Sequence, residues 1–429
     1  MERLSRRAFL AGSLSLTGLA AAGALSGCSP TVSISSDPKT LTLWYWNLSI
    51  AESLLATVRK GIPGTRFRLD TDKVSTGIDV KLRTSLAGGA YVPDVTALNS
   101  NVATYFPIED QFHDLNELGA GEYSDKYLEW KLQMGVTSND RLCFWPMDTG
   151  PTALWYRRDV FADAGLPSEP DEVTASMTGW DAWIEAGKKL RTDADAAIIT
   201  SSPQAFAQLM GASADRYFDS GGARLYDREN SAVRQAWDVA VQAGQEGVTA
   251  RAFTDTEKNS ALSAGRLASN IEAAWWGPQL QGAAPDTKGL WGVAHQPGLA
   301  GNNGGSFLAV PKTAKDPEAA FALLAWLTSP EHQVTSYEEA QLFPSTPDSF
   351  MAIDPDRPDE FCGGQPITQA FVRAAEEVPT TFISPYENLI IDGINLELTN
   401  VETQNKDPER AWDDAMARAD RLLQKKGLI

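Results

Sequence analysis

The feature that most constrains the fold of this 429-residue chain is an alternation of strand-like and helix-like segments after residue 40. Residues 40–46, 65–71 and 93–98 have the composition of strands, whereas residues 51–60 and 78–86 have helical spacing. Strands that alternate with helices predict a mainly parallel sheet with helices on its faces, which is an α/β fold. Ligands of such sheets bind just beyond the carboxyl ends of the strands.

Later helices are predicted from their N-caps. A residue that caps helices precedes a proline suited to the first helical turn in Asp316-Pro317, Ser329-Pro330, Ser384-Pro385 and Asp407-Pro408. The helices that these pairs predict span residues 317–328, 331–341, 385–400 and 408–426. Thr178, three residues before Asp181, resembles a capping box and predicts a further helix through Leu190.

Composition excludes several classes of protein. A formal net charge of -19 argues against a nucleic-acid-binding protein and against a basic membrane-surface protein. Three His and three Cys leave little material for a metal centre or a disulfide framework, so no cofactor is expected. Cys143 and Cys362 either pair in an oxidising compartment or remain separate buried thiols. Thirteen Trp residues favour aromatic contacts with a ligand, although most are expected in the core.

The N-terminus predicts export. Residues 1–27 join a basic start to an uncharged stretch, which is typical of a signal peptide, and Arg6-Arg7 resembles a twin-arginine motif. Residues 25–28 resemble a lipobox, in which Cys28 is acylated. Residues 28–40 are then a polar, lipidated tether. The alternative is a plain transmembrane anchor. No other stretch approaches 18 apolar residues, so the body is expected to be soluble and outside the cytoplasmic membrane.

Several segments together resemble one family, the extracellular solute-binding proteins of bacterial sugar importers, or maltose-binding-like group. The resemblance covers about residues 40–345 in order. Its patterns lie at residues 93–99 with 114–118, at 145–167 with Trp180 and Trp183, at 274–278, and at 304–312 with 319–329. The second pattern contains a turn typical of the family, which runs here from Tyr156 to Pro167. The last pattern contains a Gly-Gly pair that leads into a strand, followed by a helix.

The resemblance implies a two-lobed, periplasmic-binding-protein-like α/β fold. A hinge of crossing strands joins the lobes, and the ligand cleft lies between them and closes over the ligand. The chain would cross between lobes near residues 148, 293 and 345. The expected boundaries are 41–148 with 294–345 for lobe 1, and 149–293 with 346–429 for lobe 2.

Candidate ligand contacts follow from the chemistry of sugars. The C–H faces of a pyranose stack on indole or phenol rings, and its hydroxyls need a few fixed donors and acceptors. The residues predicted to contact the ligand are Trp46, Asn47, Asn99, Ser100, Asp148, Trp275, Trp276, Gly305, Ser306 and Tyr386. Of the adjacent Trp275 and Trp276, one is expected to pack and the other to face the cleft.

Each of these residues could instead have a purely structural role. Trp46 could belong to the core, and Asn99 with Ser100 could form a helix-capping turn. Asp148 either accepts hydroxyl hydrogen bonds from a sugar or makes a hinge hydrogen bond. The Gly304-Gly305 pair either approaches a ligand or turns the chain into a strand. Tyr386, at the start of a late helix, resembles a family aromatic only loosely.

The charge of the expected cleft favours a neutral ligand. Residues 44–47, 94–101, 145–152, 274–279, 302–307 and 384–388 contain no Lys or Arg, which phosphates and carboxylates normally require. A cationic ligand stays open, because Trp with a carboxylate also binds quaternary ammonium groups. A glycerophosphodiester on the same fold, an exported carbohydrate-active enzyme and a surface lipoprotein without a small ligand stay open too. No nucleophile elbow, HExxH motif or P-loop is present.

The resulting hypothesis is the substrate-binding lipoprotein of an ABC transporter, which is not an enzyme. It would capture a neutral mono- or oligosaccharide by lobe closure and deliver it to permease subunits, with a separate ATPase supplying energy. It would act as a monomer on the extracytoplasmic face of the membrane, anchored through acylated Cys28.

Overall fold

The structure is a computed structural model that describes residues 37–89 and 91–429. The predicted signal peptide, residues 1–27, and the acylation site Cys28 lie outside the described residues. Within the described part of the chain, no helix is long and apolar enough to cross a membrane.

Strands and helices alternate along the described chain. The strands are β1 (Thr40–Tyr45), β2 (Arg68–Lys73), β3 (Val95–Leu98), β4 (Trp145–Pro146), β5 (Thr152–Arg157), β6 (Ser269–Ala273), β7 (Trp291–Ala294) and β8 (Phe307–Ala309). The α-helices are α1 (Glu52–Val58), α2 (Ile78–Gly88), α3 (Glu129–Gln133), α4 (Arg158–Asp163), α5 (Pro170–Ser176), α6 (Trp180–Ala194), α7 (Ser202–Gly211), α8 (Ala232–Gln245), α9 (Asp255–Ser263), α10 (Trp276–Ala283), α11 (Pro317–Leu327), α12 (Pro330–Ala340), α13 (Pro347–Ala352), α14 (Thr368–Glu377), α15 (Glu387–Gln404) and α16 (Pro408–Lys425). Short 3₁₀ helices lie at Val102–Gln111, Leu115–Leu118, Ala120–Glu122, Ser124–Lys126 and Pro285–Thr287.

The first sheet confirms the strand–helix alternation predicted near the start of the chain. Its order is β2-β1-β3-β8-β4, and β1 pairs in parallel with both β2 and β3. Strands β8 and β4 come from later parts of the chain and pair antiparallel, so the sheet is mixed. Leu43 and Val95 on its strands pack with Phe321 of α11 in one buried core.

The second sheet has three strands in the order β6-β5-β7, and both of its pairings are antiparallel. The mainly parallel arrangement predicted from the first segments therefore does not extend to this sheet. Local patterning defines a buried strand, but strand direction depends on how the long helical connections return. Leu154 of β5 and Ile271 of β6 pack with Leu398 of α15 in a separate core.

Two neighbouring chain segments cross between the sheets. Residues 147–151 run from β4 to β5, and residues 295–306 run from β7 to β8. The Met147 amide donates to the Ser306 carbonyl at 3.0 Å, and the Asn303 amide donates to the Gly150 carbonyl at 2.7 Å. A Cβ atom at Gly150 would lie 2.1 Å from the Asn303 carbonyl oxygen, so the crossing backbones have no room for a side chain there. The protein thus has the two-lobed fold, joined by crossing strands, that the sequence predicted.

Most of the predicted helix starts are confirmed. The side chains of Asp316, Ser329 and Asp407 accept backbone hydrogen bonds at the starts of α11, α12 and α16. The helix predicted to begin at Pro385 starts later, at Glu387, after a turn in which the Ser384 amide donates to the Glu387 carboxylate and the Ser384 hydroxyl accepts from the Tyr386 amide. The predicted Thr178 cap is also wrong, since α6 follows Gly179 without a side-chain cap.

The two described cysteines are separate buried thiols. Cys143 packs in a first-lobe cluster with Phe144, whereas Cys362 packs in a second-lobe cluster with Phe371. Burial raises the pKa of the Cys143 thiol to about 12, and burial also raises the pKa of Cys362. The structure thus shows the unpaired arrangement, with both thiols held in their unreactive form.

Candidate functional site

A cleft with a cavity volume of about 200 Å³ lies where the two lobes meet the crossing segments. The first lobe contributes Ser100, Asn101, Thr104, Trp130 and Met134 to its walls. The second lobe contributes Gly211, Arg216, Ser384, Glu387 and Asn388, and the crossing segment contributes residues 302–304. The segment before α15 adds Val378, Pro379, Thr381 and Ile383. A ligand in this cleft would contact both lobes at once.

The first-lobe wall combines hydroxyl and amide groups with one indole. Ser100 and Asn101 directly follow β3, at the carboxyl end of a strand that has parallel pairing. The Thr104 hydroxyl accepts a hydrogen bond of 2.6 Å from Arg83. Trp130 of α3 is buried, and its Nε1 donates to the Ala375 carbonyl oxygen at 3.1 Å, which fixes the ring. The wall thus offers polar groups beside a rigid aromatic surface.

The crossing segment forms the floor of the cleft and is tied to its surroundings. The Asn302 side chain accepts from the Gly150 amide at 3.0 Å, and its Nδ2 donates to the Gly304 carbonyl at 3.1 Å. The Asn303 side chain donates to the Glu272 carboxylate at 2.7 Å. Gly304 has a φ of +105°, a conformation that favours glycine. These polar side chains are therefore preorganised before any ligand arrives.

The second-lobe wall contains Arg216 and Glu387, the only charged residues that line this cleft in the described chain. Arg216 Nη2 donates to Glu387 Oε2 at 2.7 Å, and Arg216 Nε donates to the same carboxylate at 3.2 Å. The two charges are therefore satisfied by each other.

Of the residues predicted at the strand ends, Ser100 lines the cleft. Trp46 is half-buried and packs against first-lobe hydrophobic clusters. Asn47 is exposed, and its side chain accepts from Lys73 at 3.5 Å. Asn99 donates to the Asp79 carboxylate at 2.6 Å. These three side chains are occupied by the protein itself and do not line this cleft.

Asp148, Gly305 and Ser306 belong to the interior of the crossing rather than to the cleft lining. Asp148 is 4 % exposed, and its Oδ1 accepts from the Ser306 amide at 2.6 Å. The Gly305 carbonyl accepts from Lys131 Nζ at 2.8 Å. A Cβ atom at Gly305 would lie 2.9 Å from the Asp148 carbonyl, so close backbone approach requires glycine. Asp148 therefore makes the hinge hydrogen bond.

The adjacent indoles Trp275 and Trp276 have different environments. Trp276 is 1 % exposed and makes edge-to-face contacts with Trp155 and Trp291, so it is a core residue with no free surface for a ligand. Trp275 is half-buried, and its Nε1 donates to the Asn303 carbonyl at 2.9 Å. Trp275 thus supports the floor of the cleft from behind.

Tyr386 packs against the second-lobe core and borders a different hollow with a cavity volume of about 470 Å³. Its neighbours Ser384 and Glu387 line the main cleft instead. The late-helix segment was therefore correctly placed near the cleft, but the aromatic ring of Tyr386 points to another space.

Three parts of the cleft wall were not identified from the sequence. They are the indole of Trp130, the guanidinium of Arg216 and the segment of residues 378–383. Trp130 lies on the five-residue helix α3, which is too short to give a clear hydrophobic period. Arg216 lies in a loop after α7, where no motif distinguishes it. The absence of Lys and Arg from the predicted segments therefore did not describe the whole cleft.

Glu272 lies behind the floor of the cleft and is 5 % exposed. Its carboxylate accepts from Asn303 at 2.7 Å, from Gln204 at 3.2 Å and from Asn270 at 3.3 Å. Burial raises the pKa of Glu272 to about 7, and the charge of Lys258 opposes this only partly. The carboxyl group is therefore half protonated near neutral pH.

This shift predicts a pH dependence of folding. Because the folded pKa is about 7 and the ordinary value 4.5, the folded state binds more protons between these limits, so stability falls as pH rises through them. We expect Glu272→Gln to remove up to about 3 kcal/mol of this loss. Urea unfolding at acidic and alkaline pH measures it, with the exposed Glu185→Gln as control. Equal pH slopes in wild type and Glu272→Gln would contradict the assignment.

Comparison with known proteins agrees with this architecture. A family model for the bacterial extracellular solute-binding proteins matches residues 54–334. The chain belongs to this family. The lactose-binding protein of Rhizobium radiobacter is 23% identical over 370 residues, which cover 81% of this chain and 85% of that protein.

Solved structures extend the match of this solute-binding protein to nearly its full described length. An extracellular solute-binding protein of family 1 is 27% identical with a TM-score of 0.83, covering 89% of this chain and 99% of the other. The galacto-N-biose-/lacto-N-biose I-binding protein of an ABC transporter from Bifidobacterium longum, in complex with lacto-N-biose, is 20% identical with a TM-score of 0.75. The matched region covers 90% of this chain and 98% of the chain of that protein.

Proposed function

We propose that this solute-binding protein captures a neutral mono- or oligosaccharide for an ABC transporter. The observation that carries the proposal is the composition of the interlobe cleft. Its walls hold hydroxyl and amide side chains, a fixed indole at Trp130, and a single ion pair whose charges cancel. Sugars need fixed donors and acceptors together with a rigid aromatic surface, and no free charge.

The relatives support the same class of ligand. One is described as a lactose-binding protein, and a similar structure binds lacto-N-biose for an ABC transporter. In our proposal the lobes close over the sugar because both contribute contacts only in the closed form. The closed protein then docks on membrane permease subunits and releases its ligand there.

The proposed lobe boundaries are 41–148 with 294–345 and 149–293 with 346–429. The separate cores around β1 and β5 support this division. Two segments depart from it, because Val378 of the second range packs in a first-lobe cluster with Trp130, and Tyr337 and Phe343 of the first range pack in a second-lobe cluster with Trp155. We further propose an extracytoplasmic monomer that is acylated at Cys28 and held at the membrane by this anchor.

We also propose that the protein does not hydrolyse its ligand. A glycoside hydrolase of the usual kind needs two facing carboxyl groups. Among the described residues, Glu387 supplies the only carboxylate that lines the cleft, and it is bound to Arg216. Incubation with oligosaccharides followed by an assay for new reducing ends tests this point, and turnover would overturn it.

Ligand-dependent stabilisation tests the binding proposal. The protein is heated with lactose, lacto-N-biose, β-1,6-galactobiose or maltose, and we expect at least one to raise the unfolding free energy by about 2.7 kcal/mol at a hundredfold excess over Kd. Calorimetric titration then gives the affinity. No stabilisation by any of these neutral saccharides would overturn the proposal.

Matched variants locate the site. Asn101→Ala removes an amide that lines the cleft, and we expect about fivefold weaker binding with the fold unchanged. Asn47→Ala removes an exposed amide outside this cleft and should leave the affinity unchanged. An equal effect of the two variants would show that the sugar binds elsewhere.

A further inference from the structure

The Arg216–Glu387 pair is held rigidly in the wall of the cleft. Glu387 is 3 % exposed and also accepts from the Ser384 amide at 3.2 Å. Arg216 Nη1 donates to the Met210 carbonyl at 3.0 Å. The guanidinium is therefore oriented by the carboxylate on one side and by the end of α7 on the other.

Arg216 retains donors that the protein does not use. A guanidinium has five N–H groups, two on each η nitrogen and one on Nε. The Nε group and one group on Nη2 bind Glu387, and one group on Nη1 binds Met210. The second N–H on each η nitrogen has no partner among the described residues. Since Arg216 lines the cleft, these donors are available to a ligand.

The partner of Arg216 determines which ligands suit those donors. An unpaired arginine binds carboxylates and phosphates strongly, often through two parallel hydrogen bonds. Here Glu387 already occupies one edge of the guanidinium and places a full negative charge beside it. A second anion in the cleft would be repelled by Glu387, whereas a neutral hydroxyl would not. Burial opposes the charge of Arg216, but the Glu387 carboxylate outweighs it and keeps the pKa raised.

We propose that the Arg216–Glu387 pair determines the specificity of the cleft for neutral over anionic saccharides. Arg216 donates hydrogen bonds to a sugar hydroxyl, and Glu387 excludes the corresponding uronic acid by cancelling the attraction of the guanidinium. This inference rests on the proposed function, because it assigns a role within the same saccharide site.

Glu387→Gln tests the proposal, since the amide oxygen keeps the acceptor for Ser384, whereas the loss of the charge and of the second acceptor oxygen releases Arg216 Nη2. The probes are D-galactose and D-glucose and their uronates, which differ from the sugars only by a carboxylate at C6. We expect wild type to bind each uronate at least about tenfold more weakly than its sugar, and Glu387→Gln to bind the uronate about tenfold more tightly than wild type does. Unchanged discrimination in a folded Glu387→Gln variant would overturn the inference.

A second variant keeps the test decisive should Glu387→Gln fail to fold. Arg216→Met combined with Glu387→Gln removes both charges and the guanidinium donors. We expect it to bind the neutral sugar about tenfold more weakly, with no gain for the uronate. Unchanged affinity for the neutral sugar in this double variant would overturn the proposed donor role of Arg216.

A matched control and the result for the wild-type protein distinguish a failure of this inference from a failure of the proposed function. Glu409→Gln neutralises the partner of Arg234 in an exposed pair outside the cleft and should leave selectivity unchanged. If wild type binds none of the neutral saccharides, the proposed function fails. If wild type binds them but neutralising Glu387 does not change selectivity, only this inference fails.

Discussion

Replacing Lys131 with methionine is expected to destabilise the protein by about 3–5 kcal/mol. Lys131 is completely buried, and its Nζ donates to the Gly305 carbonyl and lies 3.5 Å from the centre of the Phe307 ring. Burial lowers the pKa of Lys131, and the charge of the neighbouring Asp148 opposes this and favours the ammonium form. Lys131→Met would leave the Asp148 carboxylate buried without its compensating cation.

The interaction with Asp148 connects the expected loss of stability to the crossing segments. Burial raises the pKa of Asp148, while the charge of Lys131 lowers it, so each group stabilises the charged form of the other. We expect Asp148→Asn to be destabilising as well, and Lys131→Met combined with Asp148→Asn to cost less than the sum of the single changes. Urea unfolding of the four proteins measures this coupling.

Lys288→Met, at a side chain that is 60% exposed, is the control and should change stability by less than about 0.5 kcal/mol. Strictly additive effects at Lys131 and Asp148 would show that the two charges do not interact. They would contradict the proposal that these charges stabilise the crossing segments.

Truncating Trp276 should produce a loss of similar size. Its ring centre lies 5.7 Å from that of Trp155 and 6.1 Å from that of Trp291, in a core with no solvent access. Trp276→Ala therefore leaves a large cavity and is expected to destabilise the protein by about 3–5 kcal/mol. Thermal or urea unfolding measures the change.

Trp275→Ala provides the matched comparison at the next residue. Its half-buried indole leaves a smaller cavity, so we expect a loss of only about 1 kcal/mol in stability. Because its Nε1 holds the Asn303 carbonyl, we expect saccharide binding to weaken by about 1–3 kcal/mol. If Trp275→Ala leaves the affinity unchanged, the indole does not position the floor of the cleft.

Local elements were largely predictable from the sequence. The terminal helix α16 was expected over 408–426 and spans Pro408–Lys425, because its cap at Asp407 and its apolar stripe are encoded within consecutive residues. The helix predicted from Ser384-Pro385 begins two residues later, at Glu387, because Ser384, Tyr386 and Glu387 form a hydrogen-bonded turn before it.

The site was predictable only in part. Ser100 lines the cleft, as do residues next to Gly305 and Tyr386, so three of the predicted segments border it. Which side chain of each segment faces the cleft was not determined by sequence. Of the adjacent Trp275 and Trp276, which were the strongest aromatic candidates, Trp276 lies in the core because Trp155 and Trp291 surround it.

The sequence by itself determined the alternating elements, which follow from short-range periodicity and caps. It also determined the family and the two-lobed α/β fold that the family implies, which follow from an ordered set of motifs that resemble that family. Only the tertiary structure brought Arg216 to Glu387 across 171 positions and placed both in one cleft with Trp130. The physical reason is that burial and charge compensation act between neighbours in space. A residue's role in a cleft therefore depends on partners that its own segment does not contain.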